Sequence, residues 1–186
     1  MLAVDVDQEL LVDAARAGAE EAWDQLLQRY QLPLYAYVFE LVHQEQTALD
    51  IVQETFISAV RHVGALRDNR KFGSWLFGIA HQKCLLQFRR LHRAERVWDT
   101  EAEPSLDVPD DEAGPLDLLI RKEREEAFMT MLNRLPLPQR ATVLLHFIED
   151  FSLEEIAGIT SVPLGTVKSR LHHAKQLLRR WMEEAA

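Results

Sequence analysis

Near its C-terminus, over residues 151–173, the chain contains the sequence FSLEEIAGITSVPLGTVKSRLHH. Ser152 and Glu155 match the S-x-x-E capping box that starts a helix, and Pro163 suits the first turn of the next helix. A short turn containing Ser161 separates the two. Because the second helix is rich in small polar and basic residues, the pair predicts a helix-turn-helix.

The helix that follows Pro163 divides into two faces. Val167, Leu171, Ala174 and Leu178 recur at helical spacing and are expected to pack inward. The opposite face carries Gly165, Thr166, Ser169, His172, His173 and Gln176, flanked by Lys168, Arg170 and Lys175. Short polar groups there could reach base edges in a major groove, with the cations on phosphates. The spacing alone fits a solvated face of an ordinary amphipathic helix equally well.

The N-terminal half shows helical periodicity and no strand alternation. One helix is predicted over residues 8–30 and another from Pro33, which suits an opening helical turn. Thr47, with Asp50 three residues later, is predicted to begin a third. The predicted inward face of this third helix consists of Ala48, Ile51, Val52, Thr55, Phe56 and Ala59.

Residues 66–73 are polar and end in glycine, so a loop is predicted there. Ser74 is then expected to cap a long helix that ends near Arg90. Its predicted core positions are Leu76, Ile79, Ala80, Cys84 and Phe88. Residues 8–90 are therefore predicted to form a helical bundle.

Charge is segregated along the chain, whose net charge is −9. Residues 61–96 hold nine basic and two acidic side chains, whereas residues 97–117 hold eight acidic side chains and no basic one. Three prolines and few large apolar residues predict a solvated linker over residues 97–115. The predicted fold is all-α, with two small helical domains at residues 1–96 and 116–186.

Several functional classes are disfavoured by the sequence. No apolar run approaches the roughly 20 residues that span a bilayer, and the acidic start lacks the pattern of a signal peptide, so a cytoplasmic protein is expected. The single cysteine, Cys84, excludes an internal disulfide and is expected to be a buried apolar group. His81 with Cys84, and His172 with His173, offer two ligands each, so no metal or other cofactor is expected.

The C-terminal segments LPLPQR (135–140), FSLEEIA (151–157) and PLGTVKSRLH (163–172) closely resemble region 4 of bacterial sigma factors, in the extracytoplasmic-function group of the sigma-70 family. Region 4 of that family binds the promoter −35 element. The resemblance implies −35 contacts by Thr166, Lys168, Ser169, Arg170, His172 and His173. His173 stands where an arginine is common, which implies an unusual −35 preference because histidine is mostly neutral at cytoplasmic pH. Ser161 replaces the usual turn glycine and is strained if its φ is positive.

The N-terminal half resembles region 2 of the same family. The segment DIVQETF (50–56) is similar to the part that docks on the polymerase clamp helices, which implies core binding by Asp50, Ile51, Gln53, Glu54 and Phe56. The segment FGSWLFGIA (72–80), with the arginine pair that follows, resembles the part that engages the −10 element. The implied −10 residues are Asn69, Arg70, Lys71, Trp75, Lys83, Arg89 and Arg90. The loop Asp68–Lys71 matches the place where sigma factors of this group capture an unstacked base. Asn69 could recognise a base edge there or be a solvated turn residue. Trp75 could stack on nucleic acid, but a core position is expected for it.

The resemblance implies an alternative sigma factor that directs promoter-specific initiation and has no catalytic site. Its implied partners are promoter DNA, the β and β′ subunits of core RNA polymerase, and an anti-sigma factor. In the holoenzyme it is expected to be a monomer. Gln82 and Leu86 stand where the family often has asparagine and aspartate, so contacts there are open. The linker could mimic nucleic acid in the polymerase channels or be a plain tether.

Two other functions fit the sequence less well. A conventional regulator could bind DNA as a dimer through the helix-turn-helix, but it would be expected to carry a sensor domain where residues 48–90 resemble region 2. An enzyme is disfavoured because the chain has no phosphate-binding glycine loop, no G-x-S-x-G and no H-E-x-x-H.

Overall fold

The computed structural model describes residues 6–94 and 125–185, with side chains over residues 8–90 and 129–183. These parts of the chain are helical and contain no strand. They divide into two compact units, one built from the N-terminal helices and one from the C-terminal helices. The prediction of an all-α chain with two small domains is therefore confirmed. The predicted linker at 97–115 and the beginning of the domain predicted at residues 116–186 lie outside the described residues.

Four helices form the N-terminal unit: α1 (Val6–Arg16), α2 (Glu20–Val42), α3 (Glu45–His62) and α4 (Phe72–Ala94). Helix α2 packs against each of the other three, and α3 also packs against α4. Two tilted ring pairs tie α2 to α4, with centroids 5.5 Å apart for Tyr30 and Phe72 and 5.4 Å apart for Tyr37 and Phe77. All four rings are buried, and aromatic pairs of this geometry stabilise a core beyond their buried area.

The predicted boundaries of the first two helices are wrong. The helix predicted over residues 8–30 is interrupted between α1 and α2, where Gly18 has φ of 93°. Pro33 lies inside α2 instead of opening a helix. A proline there removes one backbone hydrogen bond, but Tyr30, Leu34 and Tyr37 around it are buried. We attribute the continuity of α2 to this packing.

The start of α4 also differs from the prediction. Helix α4 begins at Phe72, and Ser74 lies inside it, where its hydroxyl donates to the Lys71 carbonyl instead of capping the helix. Within the predicted loop, Asn69–Lys71 forms a 3₁₀ turn. Gly73 is buried in the first turn of α4, where an added Cβ would lie 3.1 Å from the Tyr30 hydroxyl oxygen. The close approach of α2 explains the need for glycine there.

Helix α3 begins two residues before the predicted Thr47, at Glu45. Its predicted inward face is confirmed at Ala48, Ile51, Thr55, Phe56 and Ala59, which are buried, whereas Val52 is half-buried. The amphipathic pattern therefore gave the correct face of the helix, although the capping signal did not give its first residue.

The C-terminal helices are α5 (Glu125–Asn133), α6 (Leu137–Val143), α7 (Leu153–Thr160) and α8 (Leu164–Ala185), and a π-helical segment (Leu144–Ile148) extends α6. The capping box is confirmed, since the Glu155 carboxylate accepts from the Ser152 amide at 2.9 Å and the Glu155 amide donates to the Ser152 hydroxyl at 3.3 Å. Ser161, between α7 and α8, has φ of 57°, which confirms the expected strain. The predicted core face of α8 is buried: Val167, Leu171, Ala174 and Leu178.

Candidate nucleic-acid and protein interfaces

The segment between α3 and α4 includes residues 66–71, which we call the 66–71 loop. Asp68 caps the 3₁₀ turn by accepting from the Arg70 amide at 3.1 Å, and it pairs with the Arg70 guanidinium at 3.0 Å. The hydrogen bond from Arg70 lowers the pKa of Asp68. Arg70 and Lys71 are exposed. Arg67 is exposed as well, so the loop is an ordered turn that presents three cations to solvent.

Asn69 lies in this loop, but its side chain turns towards α1. Its amide nitrogen donates to the Asp13 carboxylate at 2.6 Å and to the Glu9 carbonyl at 3.2 Å. Its amide oxygen accepts from the Arg16 guanidinium at 2.8 Å. Sequence reasoning missed this network because Asn69 is more than 50 positions away from its partners on α1, and no local motif relates them.

The other residues predicted to contact the −10 element lie along α4. Trp75 is half-buried, with its ring centroid 5.8 Å from that of Phe72, so its expected core position is only partly right. Arg89 and Arg90 are exposed near the end of the described side chains of α4. The Lys83 ammonium lies 3.3 Å from the Glu54 carboxylate of α3. Lys83 thus faces α3, whereas Arg70 and Lys71 precede the helix.

An open groove runs between α3 and α4. Its lining brings together residues predicted for two different partners, since Asp50, Ile51 and Glu54 were assigned to the polymerase and Lys83 and Arg90 to the −10 element. The remaining lining residues are Thr47, Leu86 and Gln87. The groove therefore has an acidic side on α3 and a basic side on α4.

The exposed face of α3 differs from the predicted polymerase-binding set. Ile51 and Phe56 are only 6% and 7% exposed, so both belong mainly to the core. Gln53 is exposed, and three large apolar side chains near it are about half exposed: Leu49, Ile57 and Val60. Positions 49, 53, 57 and 60 recur every three or four residues and form one stripe, which we call the α3 stripe. The same helical spacing could have identified it from the sequence.

Helix α8 presents most of the side chains predicted to contact the −35 element. Thr166, Lys168, Arg170, His172 and His173 are half-buried, and the Gln176 amide lies 2.9 Å from the His172 Nε2. Ser169 is only 1% exposed, so its predicted exposed position is wrong. The Ser169 side chain ends one heavy atom beyond Cβ, so longer side chains around it can cover it.

His81 and Cys84, one of the two residue pairs considered as metal ligands, are both buried inside the bundle. The Tyr37 hydroxyl lies 2.8 Å from His81 Nδ1 inside the bundle. Cys84 is buried and burial raises its pKa to about 12. Across residues 6–94 and 125–185, no group of three or more histidine, cysteine, aspartate or glutamate side chains is placed to hold a metal ion. Within those same ranges, none of the helices is long and apolar enough to cross a membrane.

Comparison with known proteins supplies an independent line of information. The family model for sigma-70 region 2 matches residues 26–94, and that for sigma-70 region 4 matches residues 125–178. The RNA polymerase sigma-H factor of Pseudomonas aeruginosa is 31% identical over 183 residues, covering 96% of this chain and 94% of that protein. The ECF RNA polymerase sigma factor SigW of Bacillus subtilis is 26% identical over 179 residues, covering 93% and 95%.

A solved structure resembles the fold as well. It is the sigma factor RpoE in complex with the anti-sigma factor NepR from Bartonella quintana, with a TM-score of 0.64 and 26% identity. The match covers 86% of this chain and 96% of that one. The region 2 match extends from within α2 to the end of α4, and the region 4 match extends from the start of α5 into α8.

Proposed function

This chain belongs to the extracytoplasmic-function group of the sigma-70 family, and we propose that its two helical units divide promoter recognition between them. Residues 1–96 would hold the polymerase and the −10 element, residues 116–186 would bind the −35 element, and residues 97–115 would link them. The observation that carries this proposal is the occurrence of both matched regions, in order, on one chain. A stand-alone regulator would need only the second.

The −35 function rests on α8. A recognition helix needs one buried face and a second face whose polar side chains reach base edges. Val167 and Leu171 supply the buried face, while Thr166, His172 and His173 stay accessible. Lys168 and Arg170 supply charge for phosphates. We assign −35 contact to these five residues and leave the buried Ser169 out of direct contact.

Binding to core RNA polymerase rests on α3. The α3 stripe exposes Leu49, Ile57 and Val60 beside carboxylates at Asp50 and Glu54. Apolar side chains that remain exposed together at helical spacing are typical of a docking face. We therefore move the apolar part of the polymerase contact from Ile51 and Phe56 to the stripe, and keep Asp50, Gln53 and Glu54 in the contact.

The −10 function rests on the 66–71 loop and the basic residues of α4. Arg70 and Lys71 are exposed on the loop, and Arg89 and Arg90 are exposed on the helix. Cations in such an arrangement can follow the phosphates of an opened strand. Trp75, half-buried on Phe72, has a partly accessible ring for stacking at the start of α4.

Control by an anti-sigma factor is part of the proposal. One solved structure that is similar to this chain in fold is a sigma factor bound to an anti-sigma factor. An anti-sigma factor that covered the α3 stripe would exclude the polymerase, because both partners would use the same apolar side chains. The protein would act in the cytoplasm with RNA polymerase, contribute no catalytic group and need no cofactor.

A binding experiment with purified core polymerase tests the proposal. The full chain should form a one-to-one complex, and Leu49→Gln with Ile57→Gln should weaken it by at least about tenfold, since each apolar side chain contributes about 1 kcal/mol or more when buried. Leu32→Gln is the matched control, because Leu32 is 70% exposed and lies on α2, which contributes no residue to the stripe. Wild-type binding with no effect of the double variant would contradict the stripe assignment. No binding by the wild type would contradict the proposed function.

A further inference from the structure

Helix α1 makes its main polar contacts with the 66–71 loop. The Arg16 guanidinium donates to the Leu66 carbonyl and to the Asn69 amide oxygen, both at 2.8 Å. It also pairs with Asp13 at 3.0 Å, and Asp13 accepts from the Asn69 amide nitrogen at 2.6 Å. Asp13, Arg16 and Asn69 thus form a closed triangle of hydrogen bonds between α1 and the loop.

This triangle uses the hydrogen-bonding capacity of Asn69 almost completely. A side-chain amide has two donor hydrogens and an oxygen with two lone pairs. Both hydrogens are directed at α1, to Asp13 and to the Glu9 carbonyl, and the oxygen already accepts from Arg16. In this conformation the Asn69 amide has no donor left for a base edge.

A second connection ties α1 to the core beneath the loop. The buried Gln8 accepts from the Tyr30 hydroxyl at 2.8 Å. Its amide nitrogen lies 3.4 Å from the Asn69 carbonyl and 3.5 Å from the Arg70 carbonyl. Because Tyr30 also packs on Phe72 at the start of α4, α1 is joined both to the loop and to the helix that follows it.

We infer that α1 holds the 66–71 loop in the shape that receives an unpaired −10 base, with Asp13 and Arg16 as positioning residues that act through Asn69. The inference rests on the proposed −10 function of the loop, to which the resemblance assigns the capture of an unpaired base. Extruding a base costs a few kcal/mol, and ordering a loop at the same moment would add to that cost. A loop already fixed by α1 avoids the second cost. Asn69 is then an anchor, and contact with DNA is made by other groups.

The first arm of the test measures the loop itself, by amide hydrogen exchange of the full chain. The protected amides include Arg70 and Lys71, which donate to Asp68. Asp13→Asn keeps the acceptor oxygen but removes its negative charge, so its bonds to Asn69 and Arg16 become weaker. Asp13→Asn and Arg16→Lys should each speed exchange of the Arg70 and Lys71 amides roughly five- to tenfold. Arg16→Lys keeps the charge and loses the planar fork. Asp24→Asn, at an exposed site on α2, is the matched control and should leave exchange unchanged.

The second arm measures base discrimination by the holoenzyme. The probe is a single-stranded oligonucleotide carrying the −10 element of a promoter that the holoenzyme selects, with each of the four bases at each position. Asp13→Asn and Arg16→Lys should reduce the preference at one position by a similar factor, while core affinity is unchanged. The double variant Asp13→Asn with Asn69→Ala should lose no more than Asn69→Ala alone, because both act on one unit.

The outcomes separate this inference from the proposed function. Unchanged loop exchange, or additive losses in the double variant, would overturn the inference and restore Asn69 as an independent base reader. A wild-type holoenzyme without any −10 preference would contradict the proposed function, while the exchange arm would still decide whether α1 holds the loop.

Discussion

The Lys83 ammonium of α4 lies 3.3 Å from the Glu54 carboxylate of α3, so a cation assigned to promoter DNA is paired with an anion assigned to the polymerase. Glu54 is largely exposed and Lys83 partly so, and ion pairs in such positions contribute about 0–1 kcal/mol to stability. The pair is therefore more informative about function than about folding. Binding of either partner at the groove would change the charge that the other meets.

This pairing predicts opposite effects of two neutralising substitutions. Glu54→Gln should weaken core binding and strengthen binding of −10 single-stranded DNA by the assembled holoenzyme, because Lys83 loses its competing anion. Lys83→Gln should weaken DNA binding alone. Fluorescence anisotropy with labelled core and labelled oligonucleotide measures both. Equal effects of the two substitutions on both ligands would contradict the division of roles.

The recognition helix predicts a gain of binding on substitution of His173. An arginine carries a permanent charge, whereas histidine is mostly neutral near pH 7.5. His173→Arg should tighten binding of −35 duplex DNA and steepen its salt dependence by about one counterion. Titrations over a range of potassium chloride measure the slope, with a duplex lacking the −35 element as the control. An unchanged slope would place residue 173 away from the phosphates and base edges.

The positive φ of Ser161 predicts which residues this turn tolerates. The left-handed conformation costs a residue with Cβ about 1–2 kcal/mol, and glycine is exempt from that cost. Ser161→Gly should leave the free energy of unfolding of the full chain within about 1 kcal/mol of wild type, because the relieved strain is offset by extra chain entropy. Ser161→Val should lower it by more than Ser161→Ala does, because β-branching makes this conformation worse. Urea unfolding measures the series, and equal values for valine and glycine would argue against the assigned turn.

Glu149 predicts a pH-dependent stability. It is buried at the end of the π-helical segment, and burial, followed by the charge of Asp150, raises its pKa to about 7. Folding therefore favours the protonated form, and the stabilisation is complete below pH 4.5 and is lost as pH rises through 7. The loss amounts to roughly 3 kcal/mol. Urea unfolding of wild type and Glu149→Gln across pH 4.5–8 should show the variant gaining relative stability with pH, whereas Glu183→Gln should not.

Cys84 predicts an unreactive thiol. The side chain is buried, and its pKa of about 12 leaves almost no thiolate at pH 8. Ellman's reagent should label the native chain slowly, at a rate set by opening of the bundle, and label it at once in urea. Rapid labelling of the native protein would show that α4 is not packed as described.

Local signals in the sequence explain what could be predicted. The Ser152–Glu155 capping box, the Ser161 turn and the inward face of α8 each depend on residues within one or two turns, and each was confirmed. The course of α2 through Pro33 was not predicted because long-range packing offsets a local break. The burial of Ile51 and Phe56 was already part of the predicted inward face of α3, which conflicts with assigning them to a partner.

The contacts of α1 show the limit of sequence reasoning more clearly. No spacing rule relates Asp13 and Arg16 to Asn69, because the fold alone brings these segments together. Gly73 offers a similar case, since its need for a missing Cβ depends on the position of Tyr30. Such residues acquire their roles from tertiary packing, and only the structure reveals them.

Run-off transcription with core RNA polymerase and a promoter pool, with this protein as the only added factor, is the decisive experiment for promoter-directing function. Initiation is expected at a defined subset of promoters that share paired −35 and −10 sequences, and it should be lost in the Leu49→Gln, Ile57→Gln double variant. If the wild-type protein directs no initiation while the same core polymerase is active with another sigma factor, the proposed sigma-factor function is contradicted.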